Sequence, residues 1–320
     1  MIRINFKIFL GGFMNKNLRK FIFLFFLISL TFTACAKKQA LSNNKDDKKV
    51  IYASFFPVYD LTSRIVGDKM EVRQIIEGNQ EPHDFELQAK DMAKISNADL
   101  IIYNGANMEA FIDDLKEVAG DENKFLDLSK GLTLLTKGDN SETDKARVNP
   151  HTWLSIKNDI VELTSIYKKV SSMDPKNEKF YRENLNKSVE EFKNLDNKFQ
   201  QELSKITDRE KYFVVSHAAF NYLARDYGLK QIAVTGISPD EEPSAKELKV
   251  IADFVKANNI KTIFFEGKAT PKVAKTLAEN TNTKTDTLYT MENLTPEEMQ
   301  KGYLELMEEN LEALMRSFNE

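Results

Sequence analysis

From Val50 onward, short apolar runs alternate with segments in which apolar residues recur every third or fourth position. The runs read as buried strands over Val50–Phe56, Glu71–Ile76, Asp99–Tyr103 and Phe125–Leu128, then Tyr212–Val215, Gln231–Thr235, Lys261–Phe265 and Thr285–Tyr289. Amphipathic helices are expected between them, among them Ala89–Asn97, Met108–Ala119, Ser155–Ser171, Ser244–Asn258 and Pro271–Asn282. This alternation predicts the α/β class, with parallel sheets covered by helices on both faces. Two sets of strands predict two lobes, residues 50–173 and 207–320, each long enough for a core of its own.

Between the sets lies one long helix, residues 174–206. Asp174-Pro175 reads as an N-cap followed by a proline at the first helical position. Apolar residues then recur at Tyr181, Leu185, Val189, Phe192 and Leu195 and continue through Phe199 and Leu203. No glycine or proline interrupts them, so the pattern predicts a rigid connector about 45 Å long. Charges scattered among Asn and Gln, without a sustained e and g pattern, set a coiled coil aside.

The pattern ahead of Val50 is different. Residues 1–34 carry Arg3, Lys7, Lys16, Arg19 and Lys20 and no acid, and Phe21 to Phe32 is an almost unbroken apolar run. That is the length of a signal peptide and short for a membrane span. Met14, just before the basic stretch Asn15–Lys20, offers an alternative start to Met1. The run ends in Phe32-Thr-Ala-Cys35, similar to a bacterial lipobox, in which the cysteine is lipidated after cleavage. Phe32 stands where a lipobox usually has leucine, and an ordinary signal peptide followed by a free thiol is the alternative. Residues 35–49 are polar and aperiodic, a tether with a reach on the order of 20 Å. These features place the protein outside the cytoplasm, lipid-anchored to the outer face of the bacterial cytoplasmic membrane.

Charge and chemistry narrow the picture further. The chain carries a net −4, and loss of the five basic residues ahead of Cys35 leaves −9. An acidic protein of this kind is a poor partner for nucleic acid and attracts cations. One cysteine excludes an internal disulfide, and the only histidines are His83, His151 and His217. Proline precedes two of them, in Glu81-Pro-His83 and Asn149-Pro-His151, which stiffens the approach. His217 follows the predicted strand Tyr212–Val215, where α/β proteins place ligand sites. Three imidazoles in comparable loops suggest a metal site, which needs a fourth donor. Trp153, Phe220 and Tyr222 read as core beside it. No His-Glu-x-x-His signature of a zinc hydrolase is present.

Taken in order, Glu81-Pro-His83-Asp-Phe-Glu86, Asn149-Pro-His151-Thr-Trp-Leu154, Ser216-His217-Ala-Ala-Phe220 and Gly236-Ile-Ser-Pro-Asp-Glu-Glu-Pro243 resemble the metal receptors of ABC importers. Those are the cluster A-I, or family 9, solute-binding proteins. Phe264-Phe-Glu-Gly267 and Lys272-Val-Ala-Lys-Thr-Leu-Ala278 are similar to the zinc branch, the ZnuA/AdcA type. The resemblance covers essentially all of the chain from Val50. It implies two lobes bridged by a long backbone helix with the metal in the cleft between them. It also implies capture of Zn(II), delivery to a permease with a cytoplasmic ATPase, action as a monomer and no enzymatic activity.

Carried over residue by residue, the first three ligands fall on His83, His151 and His217. Manganese-type members have glutamate at the third position and aspartate at the fourth, so His217 points to zinc. The fourth ligand falls on Glu292 in Thr290-Met-Glu-Asn-Leu-Thr295, with Glu266 as the rival acid. Glu266 otherwise reads as a helix cap or a carboxylate supporting a liganding imidazole, and Asp84 and Asn104 are candidates for similar support. The histidine-rich loop common in this branch is missing: residues 135–147 form a polar loop without histidine. Two further readings remain at this point, a surface adhesin and a receptor for manganese or another divalent metal.

Overall fold

The computed structural model describes residues 48–78, 80–137, 147–207, 210–241, 243–266 and 272–320. The expected leader, Cys35, the tether as far as Asp47 and the middle of the polar loop at 138–146 lie outside the described residues.

Two parallel four-stranded sheets organise the described chain. In the first, β1 (Val50–Ala53), β2 (Glu71–Gln74), β3 (Leu100–Tyr103) and β4 (Phe125–Asp127) lie in the order β2-β1-β3-β4. A short antiparallel pair follows, β5 (Thr136–Lys137) with β6 (Arg147–Val148). In the second sheet β7 (Tyr212–Val215), β8 (Lys230–Ala233), β9 (Thr262–Phe265) and β10 (Lys284–Thr287) run in the order β10-β9-β7-β8. Numbered within its own lobe, each sheet has the same order, second, first, third, fourth. The central strands β3 and β9 are buried along their whole length, as a parallel strand covered on both faces must be. The edge strand β2 instead alternates between exposed and half-buried positions.

Helices cover the sheets: α1 (Phe56–Val66), α2 (Ala89–Ile95), α3 (Ile112–Ala119), α4 (Ile156–Met173), α5 (Glu178–Ser204), α6 (Asn221–Tyr227), α7 (Ala245–Ala257), α8 (Lys272–Thr281) and α9 (Pro296–Phe318). Helix α5 is the long connector. Its 27 residues span about 40 Å, and its buried stripe is Tyr181, Ser188, Phe192, Leu195, Phe199 and Leu203. It starts four residues later than Asp174. That side chain accepts hydrogen bonds from Asn177 and Tyr181 rather than from a backbone N–H, and Pro175–Asn177 forms a 3-10 turn.

Several boundaries differ from the sequence expectation, each for a local reason. Strand β1 stops at Ala53 because Pro57, in the first turn of α1, suits a helix start. Helix α3 begins at Ile112 instead of Met108, since Gly105, Ala106 and Asn107 all have positive φ and keep the chain turning. The C-terminal helix α9 was not read from the sequence at all. Thr295 and Glu298 close a capping box at its start, and Gly302, at φ 80° and ψ 167°, kinks it.

Helix α9 packs on α1, α5 and β10. The ring of Tyr303 stacks on Phe192 of α5 at 5.3 Å. As a result one continuous core runs from Ile51 and Leu100 through Trp153 and Phe192 to Phe213, Phe264 and Leu314. The expectation of a separate core for each lobe is corrected accordingly. Among the described residues, a smaller cluster, Val214, Val255, Ile263 and Leu277 among its members, belongs to the second lobe alone.

Candidate metal centre

Four segments far apart in sequence bring His83, His151, His217 and Glu292 together, with one donor atom from each within 4.8 Å of all the others. His83 sits in the 3-10 turn Pro82–Asp84 beyond β2, where the Glu81 carboxylate accepts from the His83 N–H at 3.2 Å. His151 stands before the 3-10 turn Thr152–Leu154, which leads into Ser155, the N-cap of α4. His217 lies two residues past β7, where the order of strands switches between β7 and β9, the usual ligand position of an open parallel sheet. Glu292 follows β10 behind Met291, a buried residue at φ 65°. A methionine in that left-handed region is strained, and the surrounding packing holds it there.

The spacings fit one small cation. His83 Nε2 and His151 Nε2 are 3.3 Å apart, and His151 Nε2 and His217 Nε2 are 3.1 Å apart. Glu292 Oε1 is 3.1 Å from both His83 Nε2 and His151 Nε2, and Oε2 is 3.5 Å from His217 Nε2. A tetrahedral zinc with bonds of about 2.0–2.1 Å has donor–donor edges of about 3.3–3.4 Å. Glu292 Oε2 is buried with no hydrogen-bond partner among the described residues. His83 keeps 9% of its side chain exposed while the other three keep 0–1%, so His83 forms the solvent side of the group.

Two tautomers follow from the neighbours. The amide oxygen of Asn149 accepts from His151 N–H at 3.0 Å and lies 2.7 Å from His151 Nδ1. Only a protonated Nδ1 suits that oxygen, which leaves the Nε2 lone pair facing the centre. His217 Nδ1 likewise donates to Glu266, which also accepts from Ser216 Oγ. Two Nε2 lone pairs pointing at each other have nothing to share unless a cation or a proton lies between them.

Charge in the cluster is unevenly distributed. Burial pushes His151 down to about 4, and the nearby Glu292 carboxylate only partly opposes this. Burial acts the same way on His217, but the carboxylates of Glu266 and Glu292 outweigh it and raise this imidazole to about 9. His83 is also raised, burial being overcome by Glu292 and Glu81. Burial would lift Glu292, yet His151 and His217 hold it well below the usual carboxylate range. Burial first, and repulsion from Glu292 second, raise Glu81 to about 7.

The remaining sequence candidates fall outside the four-donor group. Glu266 lies behind the His217 ring, on the Nδ1 side, whereas Glu292 is grouped with the three Nε2 atoms. Asp84 is exposed and its carboxyl meets that of Asp240 from the other lobe. Asn104 is buried and holds the His151 turn from behind, donating to Pro150 O at 2.8 Å and accepting from Thr152 Oγ1 at 2.8 Å. Glu109 in turn accepts from the backbone N–H groups of Asn104 and Gly105 at 2.7 and 3.0 Å. Trp153, Phe220 and Tyr222 are buried beside the group, and Trp153 Nε1 donates to Thr290 O at 2.7 Å, two residues from Glu292. Sequence reasoning gave no role to Asn149 or Glu81. The signal was present, since each polar side chain precedes its histidine by two residues.

Comparison with known proteins finds zinc-uptake and zinc-binding relatives. The family model described as zinc-uptake complex component A, periplasmic (ZnuA), matches residues 51–317. The high-affinity zinc uptake system protein ZnuA of Bacillus subtilis strain 168 is 36% identical over 288 residues, covering 86% of this chain and 89% of the relative. The Zn(II)-bound ZnuA-like domain of Streptococcus pneumoniae AdcA superposes with a TM-score of 0.73 at 36% identity, covering 85% of this chain and 100% of that domain. The chain spans 59% of the whole AdcA lipoprotein. The laminin-binding protein Lmb of Streptococcus agalactiae, described as having adhesin and metal transporting activity, superposes with a TM-score of 0.75 at 36% identity, covering 84% of this chain and 99% of Lmb.

Proposed function

The chain belongs to the zinc-uptake complex component A family, and from that premise we propose that it captures Zn(II) outside the cytoplasm and hands it to an ABC importer. The observation that carries this reading is the group of four donors, three of them buried, all within 4.8 Å of one another and with neighbouring donors 3.1–3.5 Å apart. Three imidazoles and one carboxylate suit zinc better than manganese. They also fill the coordination shell, leaving no open position for an activated water, so the arrangement serves storage and transfer. The family is a component of zinc uptake and not an enzyme.

The ligands divide evenly. His83 and His151 come from the first lobe, residues 50–173, and His217 and Glu292 from the second, residues 207–320, on either side of the 174–206 connector. Moving the lobes apart splits the shell two and two, which gives a route for release to a permease driven by a cytoplasmic ATPase. Lipidation of Cys35 would tether the receptor, acting as a monomer, to the outer face of the membrane. Among the described residues no helix is long and apolar enough to cross a membrane.

Metal analysis of the mature chain tests the proposal. One zinc per chain is expected, displaced toward manganese in His217→Glu, together with zinc-dependent growth that is lost without the protein. No stoichiometric zinc in the wild type would overturn it. An additional adhesin role is favoured by the likeness to Lmb. Adhesion should survive substitution of His83, His151 or His217, whereas zinc uptake should not.

A further inference from the structure

Asn149 makes more contacts across the centre than any ligand requires. The residue is 4% exposed, between β6 and the His151 turn. Its amide oxygen faces both the backbone N–H and the Nδ1 of His151, at 3.0 and 2.7 Å. Its amide nitrogen donates across the cleft to Ala218 O, next to His217, at 3.0 Å. The opposite placement of oxygen and nitrogen is excluded, because the His151 N–H can only donate and would then face a second donor. The backbone is held on both sides as well: Asn149 N–H donates to Leu135 O at 2.8 Å, and Tyr222 O–H of the second lobe donates to Asn149 O at 2.8 Å. Ala218 itself is tied by its N–H to Gly236 O at 2.8 Å.

One side chain thus serves a ligand of the first lobe through its acceptor and the ligand loop of the second through its donor. Resting on the reading of the centre as a zinc cargo site, we propose that Asn149 is a positioning residue that couples zinc ligation to closure of the lobes. The acceptor presents the His151 Nε2 lone pair to the metal. The donor exists only while the Ala218 loop is near, so separating the lobes breaks the tie to Ala218 when it breaks the shell.

Two variants separate the two halves of this role. Asn149→Leu removes acceptor and donor together. Its zinc affinity in competition with a chromophoric chelator should fall about 10–100-fold, and ¹⁵N shifts of the imidazoles should show His151 losing its single Nδ1–H tautomer. Asn149→Asp keeps an acceptor for His151 but cannot donate to Ala218. Its His151 tautomer should persist, while zinc leaves to excess chelator about tenfold faster. An added negative charge would by itself slow that release, so acceleration reports the lost tie. The inference is overturned if Asn149→Leu binds zinc as the wild type does with the tautomer intact. It is equally overturned if Asn149→Asp releases zinc no faster, and this arm decides alone should the leucine variant not fold. Wild-type chain that binds no zinc would instead remove the cargo reading on which the inference stands.

Discussion

The most discriminating prediction concerns Glu266→Gln, because two effects of opposite sign meet there. Glu266 accepts from His217 Nδ1 and from Ser216 Oγ. Losing such an outer carboxylate typically weakens metal binding by 10–100-fold. The same carboxylate, with Glu292, holds the His217 pKa at about 9 against burial. At pH 7 a zinc ion must therefore displace a proton about two pH units below the pKa, which reduces apparent affinity by about 100-fold, or roughly 2.7 kcal/mol. Removing Glu266 lets burial lower the imidazole and lifts much of that handicap. The variant should consequently bind zinc within about tenfold of wild type at pH 7, and 10–100-fold more weakly at pH 9, where the proton is already leaving. Chelator competition across pH 6.5–9 measures the affinities, and calorimetry in buffers of different ionisation enthalpy counts the protons released. Wild type should release about one more proton at pH 7 than Glu266→Gln does. Glu292→Gln, in contrast, removes a donor that touches all three imidazoles, and should lose more affinity than Glu266→Gln throughout. Equal losses at pH 7 and pH 9 with an unchanged proton count would refute the reasoning. Glu266→Gln weaker than Glu292→Gln would exchange the roles of the two acids.

Other consequences follow from the same geometry. Zinc at a thousandfold excess over Kd should stabilise the chain by about 4.1 kcal/mol, raising Tm by about 10 °C, an effect that EDTA reverses; a Tm indifferent to both would speak against a buried shell. Burial raises Glu162 to about 8, with Glu109 adding repulsion against the opposing hydrogen-bond contact with Thr152. Its folded pKa thus exceeds its unfolded one, so the metal-free native state holds an extra proton and loses stability as pH rises from about 4.5 to about 8. Urea titrations should accordingly find Glu162→Gln more stable than wild type at pH 8.5 and nearly equal at pH 4.5; a variant that is less stable at pH 8.5 would show that the ionised acid is not a burden. Gly302 stands at φ 80° and ψ 167°, a combination open essentially to glycine alone. Gly302→Ala should lower unfolding free energy by about 1–3 kcal/mol, and no measurable loss would mean that α9 straightens without penalty.

Which parts of this molecule can be read from its sequence depends on how local their causes are. Strands such as Tyr212–Val215 and the α5 stripe Tyr181, Phe192, Leu195 and Phe199 are written in residue order, because periodicity alone decides which side is buried. The histidines were likewise visible, being the only three in the chain and set in short loop motifs. Helix α9 escaped notice although Thr295-Pro296 and Glu298 carry an N-terminal signature. Its acids are interleaved with apolar positions, and its kink at Gly302 breaks the period. Nor could spacing choose between Glu266 and Glu292, since both follow strands of the second sheet. The choice depends on which side of the His217 ring each carboxylate reaches, and that is a property of the folded cleft.

The shared strand order of the two sheets gives the site its logic. Each lobe has a switch point between its first and third strands, and polar loops emerge there: Asn104 after β3 in the first lobe, Ser216, His217 and Glu266 after β7 and β9 in the second. The first lobe uses its switch point for support, with Glu109 holding Asn104 and Asn104 holding the turn that presents His151. The second uses the equivalent place for His217 and the carboxylate behind it. Tyr303 of α9 joins these arrangements, its oxygen lying 2.7 Å from Trp153 O and 2.6 Å from Asp159 Oδ2. A phenol has one proton to give. Tyr303 therefore shares it between Trp153 O and Asp159 Oδ2, whose carboxyl is held well above the usual carboxylate range by burial and the nearby Glu162, and Trp153 Nε1 in turn donates to Thr290 O. This chain of hydrogen bonds runs from α4 to the loop that carries Glu292. Tyr303 and Trp153 thereby tie α9 and α4 to the turn after His151 and to the loop of Glu292 together.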